Sequence, residues 1–249
     1  MNLRKILYTL FAIEAAGCAN ANENFPVETF TTDSGKEVNI TLIRHASLAI
    51  DYNGYVIYVD PVRNPGDITV DYTTMPKADF ILITHEHGDH LDAEAINTLS
   101  KPDTKLLLNK TSQEKIGKGD FIGNNESYTL PNGMIIESVA AYNTTPGREK
   151  FHPKGNGNGY ILNIDGLRIY LAGDTEDIPE MKEINDIDVA FLPVNQPYTM
   201  TVDQAFIAAR MVSPKVLIPY HFGNTPRVEL KEKLDNEGSG MDVRIRPMQ

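Results

Sequence analysis

The chain has one cysteine in 249 residues, and that one, Cys18, lies within the first twenty positions. A lone thiol cannot close an internal disulfide, and if Cys18 is acylated no cysteine is left to act as nucleophile or metal ligand. Basic residues are also scarce, with 23 Lys and Arg against 34 Asp and Glu for a net charge of −11. No basic cluster stands out, so no nucleic-acid partner is expected; binders of a phosphate backbone concentrate Lys and Arg on one face. An apolar run of bilayer length is missing near the N-terminus, where the stretch 6–13 is too short to span a membrane as a helix. Low-complexity segments and Pro- or Ser-rich linkers are absent too. With 41% hydrophobic and 23% charged residues the composition is that of a globular protein, and without a linker one domain is expected.

What is present begins with Arg4 and Lys5, the apolar stretch, and then Ala15, Ala16 and Gly17 before Cys18. This is the order of a secretory signal peptide. Its ending, Ala-Ala-Gly-Cys, resembles a bacterial lipobox, in which the cysteine becomes the lipidated first residue. Residues 1–18 are therefore expected to be the signal peptide, 19–37 a tether and 38–249 the folded domain. The product would be exported, as a periplasmic or membrane-anchored lipoprotein held through Cys18. Without Arg4, Lys5 and Glu14, 21 basic and 33 acidic residues remain, so the acidic balance persists.

From residue 38 onward short runs rich in Ile, Val, Leu and Tyr are each closed by turn residues, which predicts strands. The clearest are 38–44, 55–59, 80–84, 105–109, 134–140, 160–164, 168–172, 189–193, 216–219 and 243–246. Asn53-Gly54 and Asp165-Gly166 favour tight hairpin turns between neighbouring strands. Helices are expected at 92–98, 112–118, 178–184 and 201–211; in the last, Val202, Ala205, Phe206 and Ala209 recur at helical spacing. The mixture predicts an α/β fold with sheets stacked centrally and helices outside.

Four predicted strands end on a side chain able to bind metal: Asp60, His85, Asp174 and His221. Residues placed just past strand ends are held by a rigid scaffold yet open to solvent, and these four could converge on one edge. The sharpest motif is His85-Glu86-His87-Gly88-Asp89-His90, where three imidazoles and a carboxylate fall within six residues. Neutral imidazole and carboxylate are the ligands that Zn(II) and similar ions prefer. Gly88 would let the backbone turn, so that His85 and His87 face one ion while Asp89 and His90 face another. Each site residue also has a purely structural reading: Asp60 as a turn before Pro61, Asp174 as a helix cap, His221 as a packed core histidine.

His-x-His-x-Asp-His after an apolar strand resembles the signature of the metallo-β-lactamase superfamily, and Asp60, Gly173-Asp174-Thr175 and His221 extend the likeness across nearly all of the expected domain. The resemblance implies a four-layered αβ/βα sandwich and two divalent metal ions, Zn(II) first, with Mn(II) or Fe(II) as alternatives. It further implies that Asp174 bridges the ions, that His221 completes the second and that Asp60 orients the histidine loop. Within the superfamily, Arg44-His45-Ala46-Ser47, Phe151-His152-Pro153-Lys154-Gly155 and the segment from Leu192 to Met200 are similar to ascorbate-6-phosphate lactonase and N-acyl-phosphatidylethanolamine phospholipase D. His45 then contacts substrate or packs, and Asn195 and Tyr198 bind substrate or shape a turn.

The commonest metallo-β-lactamases place a cysteine where Asp174 stands, so the resemblance implies an esterase, lactonase or phosphodiesterase acting on a small molecule. The expected nucleophile is a hydroxide between ions roughly 3.5–4 Å apart, with Asp89 accepting or passing the proton. A catalytically weak metal- or ligand-binding lipoprotein and a nuclease of the same fold are the alternatives. One departure favours the former. Related sequences often carry a histidine where this chain, in Val139-Ala140-Ala141-Tyr142-Asn143, has Asn143. His152, beyond a flexible loop, is expected to supply the missing ligand or to contact substrate, with Asn143 as a weaker oxygen donor.

Overall fold

The central strands are apolar on both sides, and their two sides enter different cores. In the computed structural model, which describes residues 25–65, 68–130 and 132–248, Phe80 and Leu82 point into the space between two sheets, whereas Ile81 and Ile83 point to an outer helix layer. Continuous apolar runs of this kind mark strands covered on both faces.

The first sheet comprises β1 (Val27–Thr31), β2 (Glu37–Arg44), β3 (Ser47–Tyr52), β4 (Tyr55–Val59), β5 (Phe80–Ile83), β6 (Lys105–Leu108) and β7 (Asp120–Phe121), lying side by side in chain order. The second comprises β8 (Ser127–Thr129), β9 (Ile135–Ala141), β10 (Gly157–Ile164), β11 (Leu167–Leu171), β12 (Val189–Pro193), β13 (Val216–Tyr220) and β14 (Asp242–Val243), also in chain order. Both sheets begin with three antiparallel pairings and end with three parallel ones. Asp60 after β4 and Asp174 after β11 therefore occupy equivalent places in the two halves.

Between the sheets lies one core, with Ile40, Leu48, Ile57 and Leu82 from the first and Tyr160, Ile169, Phe191 and Ile218 from the second. Outside the first sheet, α1 (Ala93–Leu99) packs Ala95, Ile96 and Leu99 on Tyr58, Ile81 and Leu106. Outside the second, α3 (Val202–Val212) and α4 (Arg227–Glu237) pack Ala205, Ala209, Leu230 and Leu234 on Ala190 and Leu217. A shorter helix, α2 (Lys110–Ile116), follows β6 and is capped by the Asn109 side chain. The result is a four-layered αβ/βα sandwich in one domain, as expected.

Several expectations change. The sheet begins before residue 38, because β1 pairs with β2 from Val27↔Thr41 to Thr31↔Glu37, so the expected tether is partly structural. The Asn53-Gly54 turn joins β4 to β3, a strand absent from the predicted set, while Asp165-Gly166 joins β10 to β11 as predicted. Segment 178–184 is a 3-10 turn, Pro179–Glu183, rather than an α-helix. The last strand stops at Val243, and α4 is a helix the sequence pattern does not announce. The signal peptide and Cys18 lie outside the described residues. Among those residues no helix is long and apolar enough to cross a membrane.

Candidate metal centre

β5 ends at Ile83, and the next residue fixes how the histidine loop leaves the sheet. Thr84 donates its backbone N–H to Asp60 Oδ1 at 2.8 Å and its hydroxyl to Asp60 Oδ2 at 2.7 Å. Asp60 Oδ2 also accepts from His90 Nδ1 at 2.7 Å. A proton on Nδ1 leaves the other nitrogen, Nε2, with its lone pair turned toward Asp174 Oδ1, 3.4 Å away. Asp60 thus holds both ends of the histidine loop, at Thr84 and at His90. His85 Nε2 and His87 Nδ1 converge to 3.0 Å.

The second half closes the site. Gly173 adopts a left-handed backbone (φ 67°), and a Cβ there would meet the Asn158 carbonyl at 2.7 Å, so only glycine lets β11 deliver Asp174 so close to β10. Asp174 caps no helix; its carboxylate faces the histidines, with Oδ2 3.4 Å from His221 Nε2 and 3.1 Å from His152 Nε2. His45, Asp60 and His221 all have positive φ (55°, 43° and 42°). Such backbone costs of order 1–3 kcal/mol per residue and gathers at functional sites.

His152 comes from the loop between β9 and β10. Its Nδ1 lies 3.1 Å from the Tyr198 carbonyl, which fixes the proton on that nitrogen and turns Nε2 toward Asp174. Its ring is 5.1 Å from that of His85 and 5.0 Å from that of His87. The Asn143 amide nitrogen bonds the carbonyls of Arg148 and Tyr198 and its backbone N–H the His152 carbonyl, while its Oδ1 is buried without a hydrogen-bond partner. It holds the loop that carries His152.

Two sets of donors result, His85, His87 and His152 on one side and Asp89, His90, His221 and His45 on the other, each with ligand atoms within 4.8 Å of one another. Asp174 reaches into both. The donor set fits divalent metal. His90 Nε2, His152 Nε2, His221 Nε2 and Asp174 Oδ1 are buried atoms without a hydrogen-bond partner, and burial of such atoms is costly unless something binds them. Burial, reinforced by His90, pushes His85 well below its ordinary pKa; burial with His152 does the same more mildly to His87, so both favour the neutral, ligating form. Burial would raise the Asp174 carboxyl, but His221 and His90 outweigh it and keep it ionised. Burial would also lower His90, yet Asp174 and Asp60 lift it well above the usual value, which marks this point as one that attracts positive charge.

A cavity of about 220 Å³ opens above these groups, lined by His87, Asp89, His152, Asp174 and His221 on its floor and by Phe151, Asn195 and Tyr198 on its wall. Phe151 and Tyr198 meet edge to face at 5.1 Å. Asn195 and Tyr198 are expected here from the sequence; Phe151, beside His152, is an addition. His45 is absent from the lining: its Nε2 lies 3.1 Å from Asp89 Oδ2 and its ring 3.8 Å from that of His221, so it packs within the second set of donors. Two other supports carry no signal in the sequence. Glu86 turns away from the centre and accepts from Asn156 at 2.9 Å and Thr111 at 2.8 Å, anchoring the histidine loop to its neighbours. Glu176, wholly buried, accepts from the backbone of Thr144 and Thr145.

Fold and site together define a metal-dependent hydrolase of metallo-β-lactamase architecture. Residues 39–221 match the model of the beta-lactamase superfamily domain, and the chain belongs to that superfamily. It is similar to UPF0173 metal-dependent hydrolases, 30% identical to one from Thermococcus kodakarensis over 77% of this chain and 87% of the relative. The corresponding protein of Flavobacterium johnsoniae is 32% identical over 79% and 89%. Among solved structures, one described as a metal-dependent hydrolase from Parabacteroides distasonis is 58% identical, with a TM-score of 0.87 over 91% of this chain and all (100%) of that one. A metallo hydrolase from Ignicoccus hospitalis is 26% identical, with a TM-score of 0.71 over 85% and 95%.

Proposed function

We propose that the chain hydrolyses a small-molecule ester, lactone or phosphodiester with the help of two divalent ions, which the two donor sets and Asp174 would hold. The observation that carries this reading is the reach of that one carboxylate, with Oδ1 at His90 and Oδ2 at both His152 and His221. His85, His87 and His152 would hold one ion and Asp89, His90 and His221 the other. Imidazole with carboxylate suits Zn(II) first and Mn(II) or Fe(II) next. When bound, such ions supply a Lewis acid and lower the pKa of water at the site toward about 7.

The chain's own residues then divide the remaining work. Asp89 meets His45, His90 and His221 through Oδ2 and lines the cavity, where its carboxylate would hold metal and pass a proton. Burial alone would raise this carboxyl, but His221 and His45 beside it hold it far below the usual carboxylate range, so it is ionised, the form that ligates metal. Phe151 and Tyr198 pack the apolar part of a substrate, and the Asn195 amide can orient its polar part. A cavity of about 220 Å³ is below the 300–1,000 Å³ typical for drug-sized ligands, which favours a small substrate. Asn143 is the ground for reading the protein as a binder without catalysis; His152 Nε2, 3.1 Å from Asp174 Oδ2, supports the hydrolase reading instead. Export and anchoring at Cys18 belong to the same proposal.

The test is metal analysis of protein purified without chelator, followed by a screen over esters, lactones and phosphodiesters before and after chelation. Two ions per chain with chelator-sensitive turnover in one class support the reading. Two ions without turnover in any class would return the protein to a binding role.

A further inference from the structure

A ligand carried on a long loop binds metal tightly only if the loop is ordered beforehand; otherwise each binding event must also order it. The loop that carries His152 has an identifiable clamp in Arg148. Its Nη1 donates to Gln196 Oε1 at 2.9 Å and to the Thr199 carbonyl at 3.2 Å. Its Nη2 donates to Thr145 Oγ1 at 2.9 Å and to Gln204 Oε1 at 3.1 Å, and lies 2.8 Å from Glu176 Oε1 in an ion pair. The other Glu176 oxygen accepts from the Thr144 N–H at 2.8 Å and the Thr145 N–H at 2.6 Å. One guanidinium therefore ties together the loop that bears His152, the turn that bears Asp174, and the segment that bears Tyr198.

Tyr198 is the link to chemistry. Its carbonyl receives both His152 Nδ1 at 3.1 Å and the Asn143 amide at 2.7 Å. Arg148 grips the chain on both sides of that carbonyl, at Gln196 and Thr199, while its own carbonyl accepts the Asn143 amide at 3.1 Å. Placing the Tyr198 carbonyl decides which nitrogen of His152 carries the proton and where the other one points.

We propose that Arg148 is a positioning residue that sets the metal affinity of the His85–His87–His152 group, acting through the Tyr198 carbonyl on His152. The proposal rests on the reading of His152 as a ligand. Lysine could keep the ion pair with Glu176, but as a point charge on a flexible stem it cannot grip Gln196, Thr199 and Gln204 together. Arg148→Lys therefore separates the clamp from the charge.

The experiment uses the full chain, stripped of metal and titrated with Zn(II) and separately with Co(II), so that both dissociation constants and the Co(II) spectrum are read. His152→Ala should weaken one ion about 10–100-fold, the loss typical of groups that hold or orient a ligand. Arg148→Lys should weaken that same ion about tenfold or more and leave the other alone. If Arg148 acts through His152, the double variant binds metal no worse than His152→Ala, within the factor of about two that separates coupled from independent sites. Gln196→Ala, an exposed substitution that spares Glu176, should give a smaller loss confined to the same ion.

Unchanged affinities in Arg148→Lys, equal loss of both ions, or losses that multiply in the double variant would overturn the proposal. The reading of His152 as ligand fails separately, in a variant that keeps Arg148, if His152→Ala alone leaves both affinities unchanged.

Discussion

His152 Nε2 lies 3.1 Å from Asp174 Oδ2, although one residue precedes β10 and the other follows β11. A histidine from the loop between β9 and β10 thus comes beside Asp174. Replacement of His152 by alanine should weaken one ion about 10–100-fold, measured by equilibrium dialysis against Zn(II). Asn143→Ala should cost less, because a neutral amide oxygen is a weaker ligand for such ions than imidazole. A larger loss in Asn143→Ala than in His152→Ala would reverse the two assignments.

Asp174 is the carboxylate that both donor groups share, so Asp174→Ala should abolish turnover and remove most of the second ion. Without it two cations would sit close together with no charge between them. Metal content per chain, measured alongside activity, decides the matter. Two ions retained with near-normal turnover would reduce Asp174 to a structural side chain.

Much of this site is legible in the sequence because it is local or ends a strand. His85 to His90 is a single run, and Asp60, Asp174 and His221 each close an apolar stretch, so their convergence needs the parallel pairing of β4 with β5 and of β11, β12 and β13, and the stacking of the two sheets on their shared core. What stays hidden depends on neighbours distant in sequence. Glu86 reads as one more polar residue until Thr111 and Asn156 come beside it, and Glu176 until Thr144, Thr145 and Arg148 do. Helix α4 buries only Leu230 and Leu234, an apolar pair too narrow to stand out among Lys and Glu. β3 is hidden because its residues run straight on from the His45-Ala46-Ser47 motif without a turn dipeptide before them.

At the N-terminus, we propose that Cys18 is the mature end of the chain and carries lipid. Arg4, Lys5, the apolar stretch and the small residues before the chain's one cysteine are the grounds. Cys18→Ser should move the protein from the membrane fraction to the soluble one. Intact-mass spectrometry that finds an unmodified chain beginning at Met1 would refute both processing and export.

Gly173 offers a test of how tightly the strands must approach to seat Asp174. A methyl at this position would lie 2.7 Å from the Asn158 carbonyl and 3.2 Å from Thr84 Cβ, both buried, and the backbone stays left-handed at φ 67°. The left-handed conformation costs an L-residue about 1–2 kcal/mol, and overpacking a rigid site adds about 1–3 kcal/mol. Gly238, which ends α4 at φ 71° and where an added methyl would have no neighbour within 4 Å, isolates the first cost. Urea unfolding of metal-free protein should therefore show Gly238→Ala destabilised by about 1–2 kcal/mol and Gly173→Ala by about 2–5 kcal/mol. Because the methyl presses on Thr84, whose hydroxyl and N–H hold Asp60, Gly173→Ala should also weaken Zn(II) binding while Gly238→Ala leaves it unchanged. Equal destabilisation of the two variants would mean that β10 yields to the methyl, and that the close approach at Gly173 is not what fixes Asp174.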